Sequence, residues 1–132
     1  MIVGIEHIGI AVTSIEEARK LYSDVFGLEV GETEIVEGQK IRVAWVPVGN
    51  TKIELLESTD PEGPIAKHIE RRGEGIHHLA LEVRDIQDAL ETLKEKGIQL
   101  VDEKPRGGYG GTRVAFLHPK GTRKVLIELV EH

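Results

Sequence analysis

Four residues of this 132-residue chain have types and positions suited to holding a divalent cation: His7, Glu54, His78 and Glu128. Each lies in an apolar stretch that alternates like a β-strand, where a buried, unpartnered carboxylate is costly. A divalent ion removes that cost. Two neutral imidazoles and two carboxylates neutralise its charge, and four protein donors leave a six-coordinate metal two positions for water or substrate oxygens. The chain has no cysteine, so thiolate ligands, disulfides and a cysteine nucleophile are all excluded.

Strand parity says how these side chains are presented. His7, Gly9 and Ala11 share one face of a strand, and Ile8, Ile10 and Val12 share the other. The same parity groups His78 with Ala80, opposite Leu79, Leu81 and Val83. In both stretches a histidine stands beside small residues on the face turned away from the apolar side chains. Glu54 and Glu128 likewise point opposite their flanking Ile and Leu residues.

The chain is written twice. EHIGIAV at 6–12 returns as HHLALEV at 77–83, and SIEEA at 14–18 returns as DIQDA at 85–89, both at an offset of 71. IELLE at 53–57 returns as IELVE at 127–131 at an offset of 74, and FGLEV at 26–30 resembles KGIQL at 96–100. Each copy predicts a strand, a helix and further strands.

In the first helix Ser14 is the N-cap with Glu17 three residues on. Ile15, Ala18, Tyr22 and Val25 form the apolar stripe, and Gly27 ends it. In the second, Asp85 caps, Ile86, Ala89, Leu90 and Leu93 form the stripe, and Gly97 ends it. Segments 41–57 and 112–130 each read as two strands around a turn, at Gly49-Asn50 and at Pro119-Lys120-Gly121. The predicted fold is therefore α+β, two βαβββ modules in one domain. Module 1 spans about 1–59, a linker with a short helix about 60–75, and module 2 about 76–132. A second conspicuous loop, PRGGYGGTR at 105–113, has four glycines and reads as flexible.

The formal charge of -6 argues against a nucleic-acid partner, which normally requires a basic stripe. No apolar run is long enough to cross a membrane, and the N-terminus alternates like a strand in place of a signal segment. The expectation is a soluble, cytoplasmic chain. Lys67, Arg71, Arg72, Arg106, Lys120, Arg123 and Lys124 are candidates for a local anion-binding patch.

Taken together, EHIGIAV, IELLE, GIHHLALEV and above all GGTRVAFLHPKGTRKVLIEL resemble methylmalonyl-CoA epimerases of the vicinal-oxygen-chelate superfamily, over essentially the whole chain. The resemblance implies a glyoxalase-like domain, a divalent metal (cobalt, manganese, nickel or zinc) on His7, Glu54, His78 and Glu128, and a homodimer. It implies an acyl-CoA substrate and interconversion of the (2R) and (2S) forms of methylmalonyl-CoA by proton abstraction at C2. Glu128 is the first candidate base and Glu54 the second catalytic candidate. Some epimerases carry a further catalytic Glu on the strand after the first helix, but IRVAW at 41–45 has no carboxylate. Arg123-Lys124 also departs from the family, where glycine is frequent. The alternatives are a glyoxalase I-type lyase and a metal-free small-molecule-binding member of the superfamily.

The remaining histidines have quieter readings. His77 has the opposite parity from His78 and faces the helix side, and His68 lies on a solvated helix face. His118 stabilises a turn or reaches substrate, and His132 is terminal.

Overall fold

The computed structural model describes residues 1–132. In chain order the elements are β1 (Ile2–Ala11), α1 (Ile15–Arg19), β2 (Glu34–Val36), β3 (Ile41–Val48), β4 (Thr51–Ser58) and α2 (Pro64–Arg72). There follow β5 (Gly75–Val83), α3 (Ile86–Glu95), β6 (Arg106–Gly107), β7 (Arg113–Leu117) and β8 (Ile127–Glu131). The α+β class holds, and both modules have the order βαβββ, with α2 between them. The chain divides into two units, one formed by His7–His77 and the other by Met1–Glu6 together with His78–His132.

In the first unit β1 runs parallel to β4, β4 pairs antiparallel with β3, and β3 with β2. In the second, β5 runs parallel to β8, β8 pairs antiparallel with β7, and β7 with β6. The registers are equivalent: Gly9 lies opposite Glu54 in one, Ala80 opposite Glu128 in the other. The residue two places after each histidine therefore faces a glutamate, which puts His and Glu on one face of adjacent strands.

The opposite faces form the cores. Val12, Ile15, Ala44, Val46 and Leu55 pack together in the first unit, and Val83, Ile86, Ala89, Leu90, Ala115, Leu117 and Leu129 in the second. Leu55 is 0% and Leu129 1% exposed, burial that stabilises each unit by roughly 1.5–3 kcal/mol per side chain.

Helix entry is built alike in the two modules. Ser14 Oγ accepts the Glu17 N–H, and Asp85 Oδ1 accepts the Asp88 N–H, as the spacing predicted. A second carboxylate completes each entry: Glu57 Oε1 accepts the Ile15 N–H and Glu131 Oε1 the Ile86 N–H, both at 2.8 Å. These are the first helical residues, whose N–H groups have no intrahelical partner.

Three segments differ from their sequence reading. The first helix is α-helical only to Arg19 and continues as a π-helical turn over Lys20–Val25, with the Phe26 N–H reaching back five residues to the Leu21 carbonyl. The glycine-rich loop is an organised turn. Gly107 pairs with Arg113, the Gly108 N–H donates to the Thr112 carbonyl, and a Cβ on Gly108 would meet Thr112 Oγ1 and Val114 Cγ1 at 2.6 Å. His68 is half-buried against the His77 ring at 4.8 Å, so it does not lie on a solvated face.

Candidate metal centre

Each unit carries one histidine–glutamate pair in which both side chains are largely covered. In the first, His7 Nε2 lies 3.5 Å from Glu54 Oε1, with side chains 6% and 13% exposed. In the second, His78 Nε2 lies 3.3 Å from Glu128 Oε1, with side chains 5% and 11% exposed. The sequence-predicted partners thus meet within each module, and their low exposure leaves both carboxylates little water.

The separations suit a shared cation. Two donors about 2.1 Å from one ion are held roughly 3.0–3.4 Å apart by octahedral or tetrahedral geometry. A charge-assisted hydrogen bond would draw N and O to about 2.7–2.9 Å. Both pairs lie near the first spacing. Donor type agrees, since imidazole nitrogen with carboxylate oxygen suits divalent transition metals.

Each pair is walled by an aromatic ring that sequence reading did not single out. Trp45 is opposite Glu54 in the β3–β4 ladder, and Phe116 is opposite Glu128 in the β7–β8 ladder. The Trp45 ring meets His7 edge-on at 5.1 Å and 84°, and the Phe116 ring meets His78 at 6.0 Å and 80°. A cation covers each ring: Lys52 Nζ stands 4.8 Å from the Trp45 centroid and the Arg106 guanidinium 5.5 Å from that of Phe116. The signal was in the repeat, for Trp45 and Phe116 stand at the same offset of 71 as the histidines.

Glu57 and Glu131 were also missed. They are the second glutamates of IELLE and IELVE, and face away from the metal donors to hold the helix entries. Arg42 Nη1 contacts Glu57 Oε2 at 2.8 Å, and Arg113 Nη1 contacts Glu131 Oε2 at 3.4 Å.

The other histidines stand apart from the two pairs. His77 packs on His68 of α2, whose imidazole is held below its usual protonation range by burial and then by the Arg72 charge. His118 Nδ1 accepts the Lys120 N–H, the turn-stabilising role, and His132 Nε2 pairs with Glu6 Oε2 at 2.7 Å. Of the candidate anion-binding cations, Lys67 is paired with Glu62 and Arg106 with Asp102. Lys120, Arg123 and Lys124 have no carboxylate within ion-pair distance.

Residues 6–116 match the sequence model of the Glyoxalase/Bleomycin resistance protein/Dioxygenase superfamily. The chain is 40% identical over 127 residues to the uncharacterized protein YqjC of Bacillus subtilis, covering 96% of this chain and 91% of that one. It is 39% identical over 126 residues to the mitochondrial methylmalonyl-CoA epimerase of Bos taurus, covering 95% of this chain and 72% of that protein. Among solved structures, a variant of Streptomyces coelicolor methylmalonyl-CoA epimerase in complex with 2-nitronate-propionyl-CoA superposes with a TM-score of 0.92 at 33% identity. That match covers 99% of this chain and 95% of the other.

Proposed function

The chain belongs to the Glyoxalase/Bleomycin resistance protein/Dioxygenase superfamily, and from that premise we propose that it is a methylmalonyl-CoA epimerase working as one domain over residues 1–132. The observation that carries this reading is the pair of buried His–Glu couples at equivalent points of the two modules, 3.5 Å and 3.3 Å across. His7 and Glu54 of one pair and His78 and Glu128 of the other would hold a divalent metal. A divalent metal held there would supply Lewis-acid polarisation of the substrate's oxygens, which would favour loss of the proton between thioester and carboxylate.

The chain's own residues do the rest. Glu128 takes the C2 proton: the C–H bond breaks, the proton passes to the carboxylate, and the electron pair spreads into the thioester carbonyl as an enolate. Return of a proton to the same face restores the starting epimer, and delivery to the opposite face gives the other. His7 and His78 hold their carboxylate neighbours in register, and Trp45 and Phe116 narrow the space beside each pair against water. Glu54 is the ligand equivalent to Glu128 and the second acid–base candidate. The strand facing β4 reads IRVAWVPV, so β3 brings no further carboxylate there. The exposed apolar start of β1, with Ile2, Val3 and Ile5 all more than 40% accessible, supports a homodimer.

The test is exchange of the C2 hydrogen of methylmalonyl-CoA with deuterated solvent, followed by NMR. Metal-loaded protein exchanges it, and protein stripped with a chelator does not until metal is restored. Exchange that survives complete metal removal sinks the reading.

A further inference from the structure

The two modules keep one residue spacing until the last connection of each. Trp45 and Phe116 stand 71 positions apart, as do His7 and His78, but Glu54 and Glu128 stand 74 apart, so module 2 has gained three residues between its last two strands. In module 1 that connection is the two-residue turn Gly49-Asn50, whereas in module 2 it runs from His118 to Leu126. A tight hairpin closes the same pair of strands in module 1, so closure alone does not call for the longer loop.

The loop is firmly built. The His118 N–H donates to the Gln99 carbonyl at 2.9 Å, the Gly121 N–H to the His118 carbonyl at 2.9 Å and the Lys124 N–H to the Pro119 carbonyl at 2.8 Å. The Thr122 hydroxyl donates to the Val125 carbonyl. On this frame Arg123 and Lys124 adopt consecutive left-handed conformations, with φ of 57° and 71°. Glycine or asparagine takes that conformation at least cost, and long side chains rarely do. Both side chains are exposed, and neither they nor Lys120 has a carboxylate partner.

Charge is distributed to match. Between Glu103 and Glu128 there is no acidic residue, but there are six basic ones: Lys104, Arg106, Arg113, Lys120, Arg123 and Lys124. With a net charge of -6 for the whole chain, the remainder carries -12. Unpaired cations held by a rigid, strained backbone suit a fixed polyanion, because their geometry is set before binding.

We infer that the His118–Leu126 loop is an anion-recognition element in which Lys120, Arg123 and Lys124 take the phosphate groups of a CoA thioester. This rests on the epimerase reading for the identity of the ligand, and on the loop alone for its charge. Strained positions that a structural turn would give to glycine are given to cations.

The test uses the full chain and 3′-phosphoadenosine 5′-diphosphate, the phosphate-bearing end of CoA without a thioester, titrated calorimetrically at low and high salt. Wild type binds it, more weakly as salt rises. Arg123→Gln with Lys124→Gln removes the charge and keeps the backbone demand, and affinity falls at least tenfold. Arg123→Gly with Lys124→Gly loses the same affinity but melts at a higher temperature than the Gln pair. Lys96→Gln, an exposed charge at the end of α3, leaves affinity within twofold. Absence of wild-type binding, loop variants within twofold of wild type, or an equal loss in Lys96→Gln overturns the inference. The two proposals fail separately: loop-dependent nucleotide binding without proton exchange sinks the epimerase reading alone, and exchange with loop-independent binding sinks this one alone.

Discussion

The His7–Glu54 and His78–Glu128 halves are near copies with unequal duties. Both set a histidine and a glutamate on parallel neighbouring strands, wall them with an edge-on aromatic ring and anchor the adjoining helix with a second glutamate. They differ in the last connection, a two-residue turn in one and a basic, strained loop in the other. Duplication supplies a frame for the paired residues, and divergence in one loop can add substrate recognition without disturbing it.

The largest effect is expected from neutralising the two paired glutamates separately. Glu128→Gln is expected to lower C2 proton exchange by about 10²–10⁴-fold, the range for losing a positioned base. Glu54→Gln keeps an oxygen donor, and a fall of about tenfold or less is expected. Equal losses, read as deuterium incorporation at fixed metal occupancy, would make the halves functionally interchangeable.

The histidines sharpen the opposite point. His7→Ala and His78→Ala are each expected to leave substoichiometric metal after gel filtration, measured by elemental analysis, because each removes one of the four proposed donors. Full occupancy in either variant would assign the ion to one half.

The anchoring glutamates predict a smaller effect on stability. Glu57→Ala and Glu131→Ala each leave a helix-entry N–H without its charged acceptor, a loss of about 1–3 kcal/mol in urea unfolding. The Glu57 variant should lose more, since its arginine contact is 2.8 Å against 3.4 Å for Glu131.

Smallest is an interaction that only module 1 has. The Glu74 carboxylate accepts from the Thr13 N–H and hydroxyl, which hold it below the usual glutamate range, whereas module 2 has Arg84 at the position equivalent to Thr13. With a lowered folded-state pKa, this stabilisation is present above the unfolded value of 4.5 and fades as pH falls through the folded one. Thermal melts of Glu74→Gln should therefore lie below wild type at pH 7 and converge with it in acid. A constant gap from neutral pH into strong acid would remove the carboxylate from the account.

Much of the site was legible because β-strand parity and repetition are properties of the chain itself. The parity of HIGIA and HHLAL separated His78 from His77, and the packing of His77 on His68 agrees with that separation. The 71-residue offset marked equivalent positions, though its use stopped at donor residues and passed over Trp45 and Phe116. The π-helical turn after Arg19 was not legible, because Ile15, Ala18, Tyr22 and Val25 satisfy an α-helical stripe as well. Nor was the order within the glycine-rich loop, since glycine abundance reads as freedom until the Gly108 backbone is seen against Val114.

The sequence by itself determined the α+β class, the doubled βαβββ order and the pairing of His7 with Glu54 and His78 with Glu128, since each follows from spacing along one chain. Only the tertiary structure decided that each histidine meets its glutamate at 3.3–3.5 Å and that Glu57 and Glu131 hold the helix entries. It also decided that Arg123 and Lys124 stand in left-handed backbone without acidic partners. Strand pairing and loop closure bring together residues distant in the chain, and no local periodicity encodes which of them meet.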